Sequence, residues 1–113
     1  MDCLFCKMVK GEIDTKKVYE DEKIFAFEDI NPQAPVHILI IPKKHFASLN
    51  EMEEGDKELV GHMFFIAAKI AKDKDIAESG YRTVFNTNKG AGQAVFHLHM
   101  HLLGGRQFSW PPG

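Results

Sequence analysis

Cysteine is scarce in this chain: Cys3 and Cys6 are the only two among 113 residues. A disulfide-stapled scaffold needs more pairs than that, so the fold must rest on a hydrophobic core. Net charge is small as well, with 14 basic against 16 acidic residues and a formal charge of -2. No global basic field exists to attract nucleic acid, and none is expected as a partner. Long apolar runs are missing too. None approaches the roughly 20 residues that span a bilayer, so no membrane association is expected. The opening Met1-Asp2-Cys3 lacks the basic-then-apolar form of a secretory signal. A cytoplasmic, reducing location is the expectation, with the nucleus left open as a further compartment. Internal repeats, low-complexity segments and linkers are absent.

What remains is the composition of an ordinary soluble domain, 44% hydrophobic and 27% charged. One domain spanning 1–113 is expected, large enough for a single core. The two cysteines form Cys3-Leu4-Phe5-Cys6. Such a pair reads either as half of a metal site or as two small apolar residues on the first turn of a helix. A thioredoxin-like reading would need a βαβ context, and the sequence shows none.

Apolar residues at Leu4, Phe5, Met8 and Val9 predict a short helix over 3–10, stopped by Gly11. Val18–Glu20 and Ile24–Glu28 predict a hairpin about the polar turn Asp21-Glu22-Lys23. Pro32 and Pro35 make 29–35 a loop. The run Val36-His37-Ile38-Leu39-Ile40-Ile41 reads as a central strand buried on both faces. His37 is its one polar residue, and by itself suggests a hydrogen-bonded core histidine. Lys43-Lys44-His45 then forms either a solvated turn or an anion-facing rim.

A helix is predicted over 53–74, its apolar stripe running through Leu59, Val60, Met63, Ile66, Ala67 and Ile70. His62 falls on the solvent side of that stripe. Strands are predicted at 81–86 and 95–103, joined by the glycine-rich stretch Asn88–Gln93, and 110–113 forms an extended tail. Mixed order with short connections argues an α+β fold on an antiparallel sheet.

Three of the six histidines fall in His97-Leu98-His99-Met100-His101. On an extended chain the imidazoles share one face and the apolar residues the other. Neutral imidazole is a nucleophile near pH 7, and neighbouring imidazoles can donate protons or stabilise an oxyanion. Glycine-loop amides beside them could cradle a phosphate. That combination suits phosphoryl or nucleotidyl transfer. The same spacing also suits a shared zinc ion, so a zinc hydrolase and a non-catalytic nucleotide-binding or zinc-stabilised module stay open.

His97-Leu98-His99-Met100-His101-Leu102-Leu103 resembles the signature of the histidine-triad superfamily. The likeness extends to Asp29–His37, Ile41–His45 and Gly92–Phe96. Gly104-Gly105-Arg106-Gln107 and Trp110-Pro111-Pro112-Gly113 are similar to its nucleotide-binding branch. The resemblance implies a five-stranded antiparallel sheet with a long helix and a short N-terminal helix, and a homodimer with one continuous ten-stranded sheet. It implies binding of purine nucleoside monophosphates such as AMP and GMP, and hydrolysis of nucleoside 5′-phosphoramidates through a nucleotidyl-histidine. Dinucleoside polyphosphate hydrolysis and a non-catalytic adaptor role are the alternatives.

Carried over by position, His99 is the nucleophile, His101 contacts phosphate and His37 stands beside them. Asp29 holds the ribose hydroxyls, while Asn86 and the backbone of Gly92, Gln93 and Ala94 surround the phosphate. Leu4, Phe5, Met8, Phe27, Ile30 and Leu39 form the base slot. Ala94 departs from the branch, which usually has serine there. Phosphate binding should survive this change, and proton delivery to the leaving amine should weaken. The resemblance further implies structural Zn2+ on Cys3, Cys6, His45 and His97, a closed set that leaves His99 free.

Overall fold

An apolar strand buried on both faces needs cover from two sides, and the chain supplies a helix to each. The computed structural model describes residues 3–113. Its elements are α1 (Leu4–Val9), β1 (Lys17–Glu20), β2 (Ile24–Glu28), β3 (Val36–Pro42), α2 (Lys57–Asp73), β4 (Tyr81–Phe85) and β5 (Met100–Gly104). The strands make one sheet in the order β1-β2-β3-β5-β4, and every neighbouring pair is antiparallel. This is the expected α+β architecture, with β3 at its centre.

Strand alternation assigns the two faces. Ile24, Ala26, Ile38 and Ile40 turn one way, with Leu98, Met100 and Leu102, and pack against Met63, Ile66, Ala67 and Ile70 of α2. Each buried Ile, Leu or Met side chain among them contributes roughly 1.5–3 kcal/mol. Phe25, Phe27, Leu39 and Ile41 turn the other way and meet Cys3 and Phe5 at α1. The site histidines open on this second face.

The helix predicted from 53 begins later, at Lys57. Glu53 to Asp56 instead form a capping-box turn. There the Glu53 N–H donates to Asp56 at 2.9 Å, and Lys44 Nζ donates to the same buried carboxylate at 2.6 Å. Lys43 pairs with Glu20 at 2.7 Å. The two lysines therefore form surface ion pairs and not an anion-facing rim.

His62 is half-buried and lies 2.7 Å from Asp21, correcting the solvent-facing expectation. Tyr19 and the backbone N–H groups of Lys23 and Ile24 also donate to Asp21. Burial opposes the charge on that carboxylate, yet these donors hold its pKa well below the ordinary value. The contact ties the β1–β2 turn to α2.

The strand predicted over 95–103 is also shorter, because β5 starts at Met100. Upstream, the Leu98 N–H donates to Phe46 and the His97 carbonyl accepts from the His99 ring. With those groups engaged elsewhere, pairing with β3 begins only at Met100 opposite Ile40. Alternation nevertheless persists through the irregular part.

Candidate functional site

The register of β3 and β5 sets Leu39 opposite His101 and His37 opposite Leu103. His37 and His101 are thus diagonal neighbours on one face, and their rings meet with His37 Nε2 2.9 Å from His101 Nδ1. His99 follows one step upstream, its ring centroid 5.0 Å from that of His101. His97 and His99 are buried and His101 is half-buried.

Fixed partners assign the protons on these rings. The Gln33 N–H donates to His37 Nδ1 at 3.0 Å, so neutral His37 carries its hydrogen on Nε2 and offers it to His101 Nδ1. His101 in turn carries its hydrogen on Nε2. His99 Nδ1 donates to the His97 carbonyl at 2.8 Å, which leaves a bare lone pair on His99 Nε2. His97 Nε2 donates to the Pro42 carbonyl at 2.7 Å, which leaves Nδ1 bare. The segment leading into β5 and the strand itself therefore hold a ligand-ready ring, a nucleophile-ready ring and a donor ring.

Burial is the main cause of a lowered pKa at all four rings. His101 falls furthest, to about 4, because His99 and His37 crowd it in addition. All are neutral near pH 7. An incoming anion thus meets N–H donors rather than an imidazolium.

The bare His97 Nδ1 faces a ligand set. It lies 3.0 Å from His45 Nδ1, 3.4 Å from Cys3 Sγ and 3.7 Å from Cys6 Sγ. All four donor atoms lie within 4.8 Å of one another. A tetrahedral zinc spaces two sulfurs and two imidazole nitrogens about 3.3–3.8 Å apart, so these residues suit it. Burial and the neighbouring Cys3 raise the Cys6 pKa. Asp29, His37 and His101 form a second compact group. It is no ligand set, because the proton on His37 Nε2 occupies the lone pair a metal would need.

Beside the histidines lies a cavity of about 480 Å³, lined by Met8, Asp14, Thr15, Lys16, Phe27, Glu28, Asp29, Ile30 and Pro32. Its volume suits a nucleoside-sized ligand. Asp29 joins cavity to histidines, with Oδ2 3.4 Å from His37 Nε2. Of the expected base slot, Met8, Phe27 and Ile30 line the cavity. Leu4 does not and is exposed. Leu39 is core. Phe5 is a buried wedge, its ring 5.5 Å from Phe27 and 5.2 Å from His99.

The glycine loop engages most of its own donors. The Gly92 and Gln93 N–H groups close the loop's own turns onto Lys89 and Asn88. The Gln93 side chain is buried, bonding the Asn88 N–H and the carbonyls of Ala47 and Val95. Among the described residues the Ala94 N–H, unlike those of Gly92 and Gln93, has no partner. Asn86 sits just past the end of β4.

The HIT domain family model matches residues 10–108. The chain belongs to the HIT family. It is 48% identical over 105 residues to a purine nucleoside phosphoramidase of Escherichia coli K12, covering 93% of this chain and 88% of that one. A 14 kDa zinc-binding protein of Zea mays is 50% identical over 112 residues, covering 97% and 87%. A HIT family hydrolase structure from Legionella pneumophila superposes with a TM-score of 0.97 at 54% identity, covering 99% and 100% of the two chains.

In this HIT protein the cavity residues that sequence reading missed are Asp14, Thr15, Lys16, Glu28 and Pro32. A signal for most of them existed in the hairpin. Lys17 opposite Phe27 puts residues just before β1 beside those ending β2, and the Glu28 N–H donates to the Lys16 carbonyl.

Proposed function

We propose that the protein is a hydrolase of purine nucleoside 5′-phosphoramidates acting through a nucleotidyl-His99 intermediate. The observation that carries this reading is the hydrogen bond from His99 Nδ1 to the His97 carbonyl, which leaves the Nε2 lone pair free, in a histidine cluster that Asp29 joins to a nucleoside-sized cavity.

His99 Nε2 attacks the α-phosphorus, the P–N bond of the substrate breaks, and the amine departs with a proton taken from solvent water, since Ala94 offers no hydroxyl donor. Positive charge developing on the ring is stabilised by the His97 carbonyl already bound to Nδ1. His101 Nε2–H and the Ala94 N–H donate to the phosphoryl oxygens as charge builds there. Water then attacks phosphorus, the P–Nε2 bond breaks, and its electron pair returns to His99 with release of the nucleoside monophosphate. Asp29 accepts from the ribose hydroxyls, and Met8, Phe27 and Ile30 enclose the base.

Cys3, Cys6, His45 and His97 would hold a structural zinc ion, which cross-links α1 to the approach of β5 when bound. The His97 carbonyl belongs to a residue of that set, so anchoring His97 also anchors the nucleophile. Ala94 favours a second reading, a binding module with little turnover, because no hydroxyl stands there to protonate the amine.

Turnover of an adenosine 5′-phosphoramidate by His99→Gly tests the proposal. Turnover should fall about 10⁴-fold or more while AMP affinity stays within a few-fold of wild type. Retained turnover refutes the assignment. A wild-type protein that binds AMP without turnover supports the binding module.

A further inference from the structure

Gly104-Gly105-Arg106-Gln107 lies outside the proposed chemistry, yet it reaches the site in three steps. Gly105 sits at φ +91°, a conformation that favours glycine, and a Cβ there would come within 2.9 Å of Pro35 Cβ. The turn is therefore pressed against the loop between β2 and β3. From it Arg106 Nε donates to the Gln33 carbonyl at 2.9 Å. The Arg106 guanidinium is held in turn over the Phe108 ring at 4.2 Å, with Arg82 at 5.1 Å from the same ring. Gln33 also bonds the Asn31 carbonyl through its side chain.

Gln33 presents its backbone N–H to His37 Nδ1, and His37 Nε2 faces His101 Nδ1. The order of donors matters. With a hydrogen on His37 Nε2, His101 must accept at Nδ1 and keeps its own hydrogen on Nε2. If His37 switched tautomer, His101 would donate from Nδ1, leaving a bare lone pair on Nε2. That lone pair would repel a phosphoryl oxygen where the first arrangement attracts it.

We infer that Arg106 and the Gln33 backbone N–H are positioning groups that set the His37 tautomer and thereby make His101 a donor to substrate phosphate. This relay rests on the phosphoramidate reading for its effect on turnover, though the tautomers themselves exist without substrate. It gives the conformation of the glycine turn a purpose at a site it never touches. Asp29 assists, because its Oδ2 is a second acceptor 3.4 Å from His37 Nε2.

Nitrogen-15 NMR of the histidine rings in the full-length protein reads the tautomers directly. Wild type should show His37 with a bare Nδ1 and a protonated Nε2. Gln33→Pro deletes the backbone donor and should give a mixture, whereas Gln33→Ala keeps the N–H and the wild-type tautomer. Arg106→Ala should shift part of the His37 population and lower kcat about three- to tenfold with KM little changed. Arg106→Lys, which restores a cationic donor, should recover much of both.

If Gln33→Pro does not fold, Arg106→Ala decides. An unchanged His37 tautomer in the folded variants overturns the inference, and so does an unchanged kcat in an active protein. Failure of the hydrolase reading would look different: no wild-type turnover, with the tautomer shift intact.

Discussion

At the scale of single residues, three imidazoles that look equivalent along the chain are separated by what each ring nitrogen touches. His97 gives its Nε2 hydrogen to Pro42, His99 gives its Nδ1 hydrogen to His97, and His101 receives at Nδ1 from His37. Ala94 is the residue whose replacement is most informative. Its N–H is free for phosphate, but its side chain ends at a methyl group. Ala94→Ser should raise kcat for a phosphoramidate roughly fivefold, the scale of one added hydrogen bond, and leave KM nearly unmoved. Steady-state kinetics with both proteins checks this, and an unchanged or lower kcat would show that the leaving amine finds its proton elsewhere. The triad could be read from a short motif, whereas Asp29 and the zinc-type ligand set were legible only through the family resemblance. The inward turn of Gln93 and the tautomer of His37 could not, since both depend on partners distant in the chain or on backbone geometry.

Among the elements, β4 and α2 share an exposed region that the single chain leaves uncovered. β4 is the last strand in the sheet, so one of its edges has no neighbour among the described residues. Beside it Phe64 meets Phe85 at 5.8 Å, while Phe64 and Phe65 stay 47% and 68% exposed. An open edge and adjacent aromatic surface suit pairing with a second copy, as the family resemblance led us to expect. Sedimentation velocity should therefore give twice the 12.8 kDa of the chain. Phe65→Glu should move it toward monomer, and a monomeric wild type would refute the dimer. Element types were legible throughout, because periods of two and of three to four residues survive in the sequence. Their limits were less so. The alternation at 95–99 assigns faces correctly without revealing that Leu98 bonds Phe46 rather than the sheet. Nor could the start of α2 be placed before the Lys44–Asp56 contact was known.

Across the whole molecule, one face of the sheet is devoted to structure and the other to chemistry. α2 closes the first with an apolar core, whereas on the second the Cys3, Cys6, His45 and His97 set lies next to the proposed nucleophile, His99. Stability and catalysis should then be coupled through His97. Metal analysis of protein purified without chelator should find about one zinc per chain, not two, because the Asp29–His37–His101 group holds a proton where a second ion would bind. Replacing Cys3 and Cys6 with serine should remove it and lower Tm by about 10 °C, the shift that roughly 2 kcal/mol produces in a domain of this size. Metal-free wild-type protein with undiminished Tm would contradict that view. The central claim concerns phosphorus and one imidazole nitrogen. Rapid quenching during turnover of an adenosine 5′-phosphoramidate, followed by peptide mass mapping, tests it most directly. The account predicts a mass increase of one adenylyl group on His99. Steady turnover with no adduct, or an adduct on His97 or His101, would contradict it.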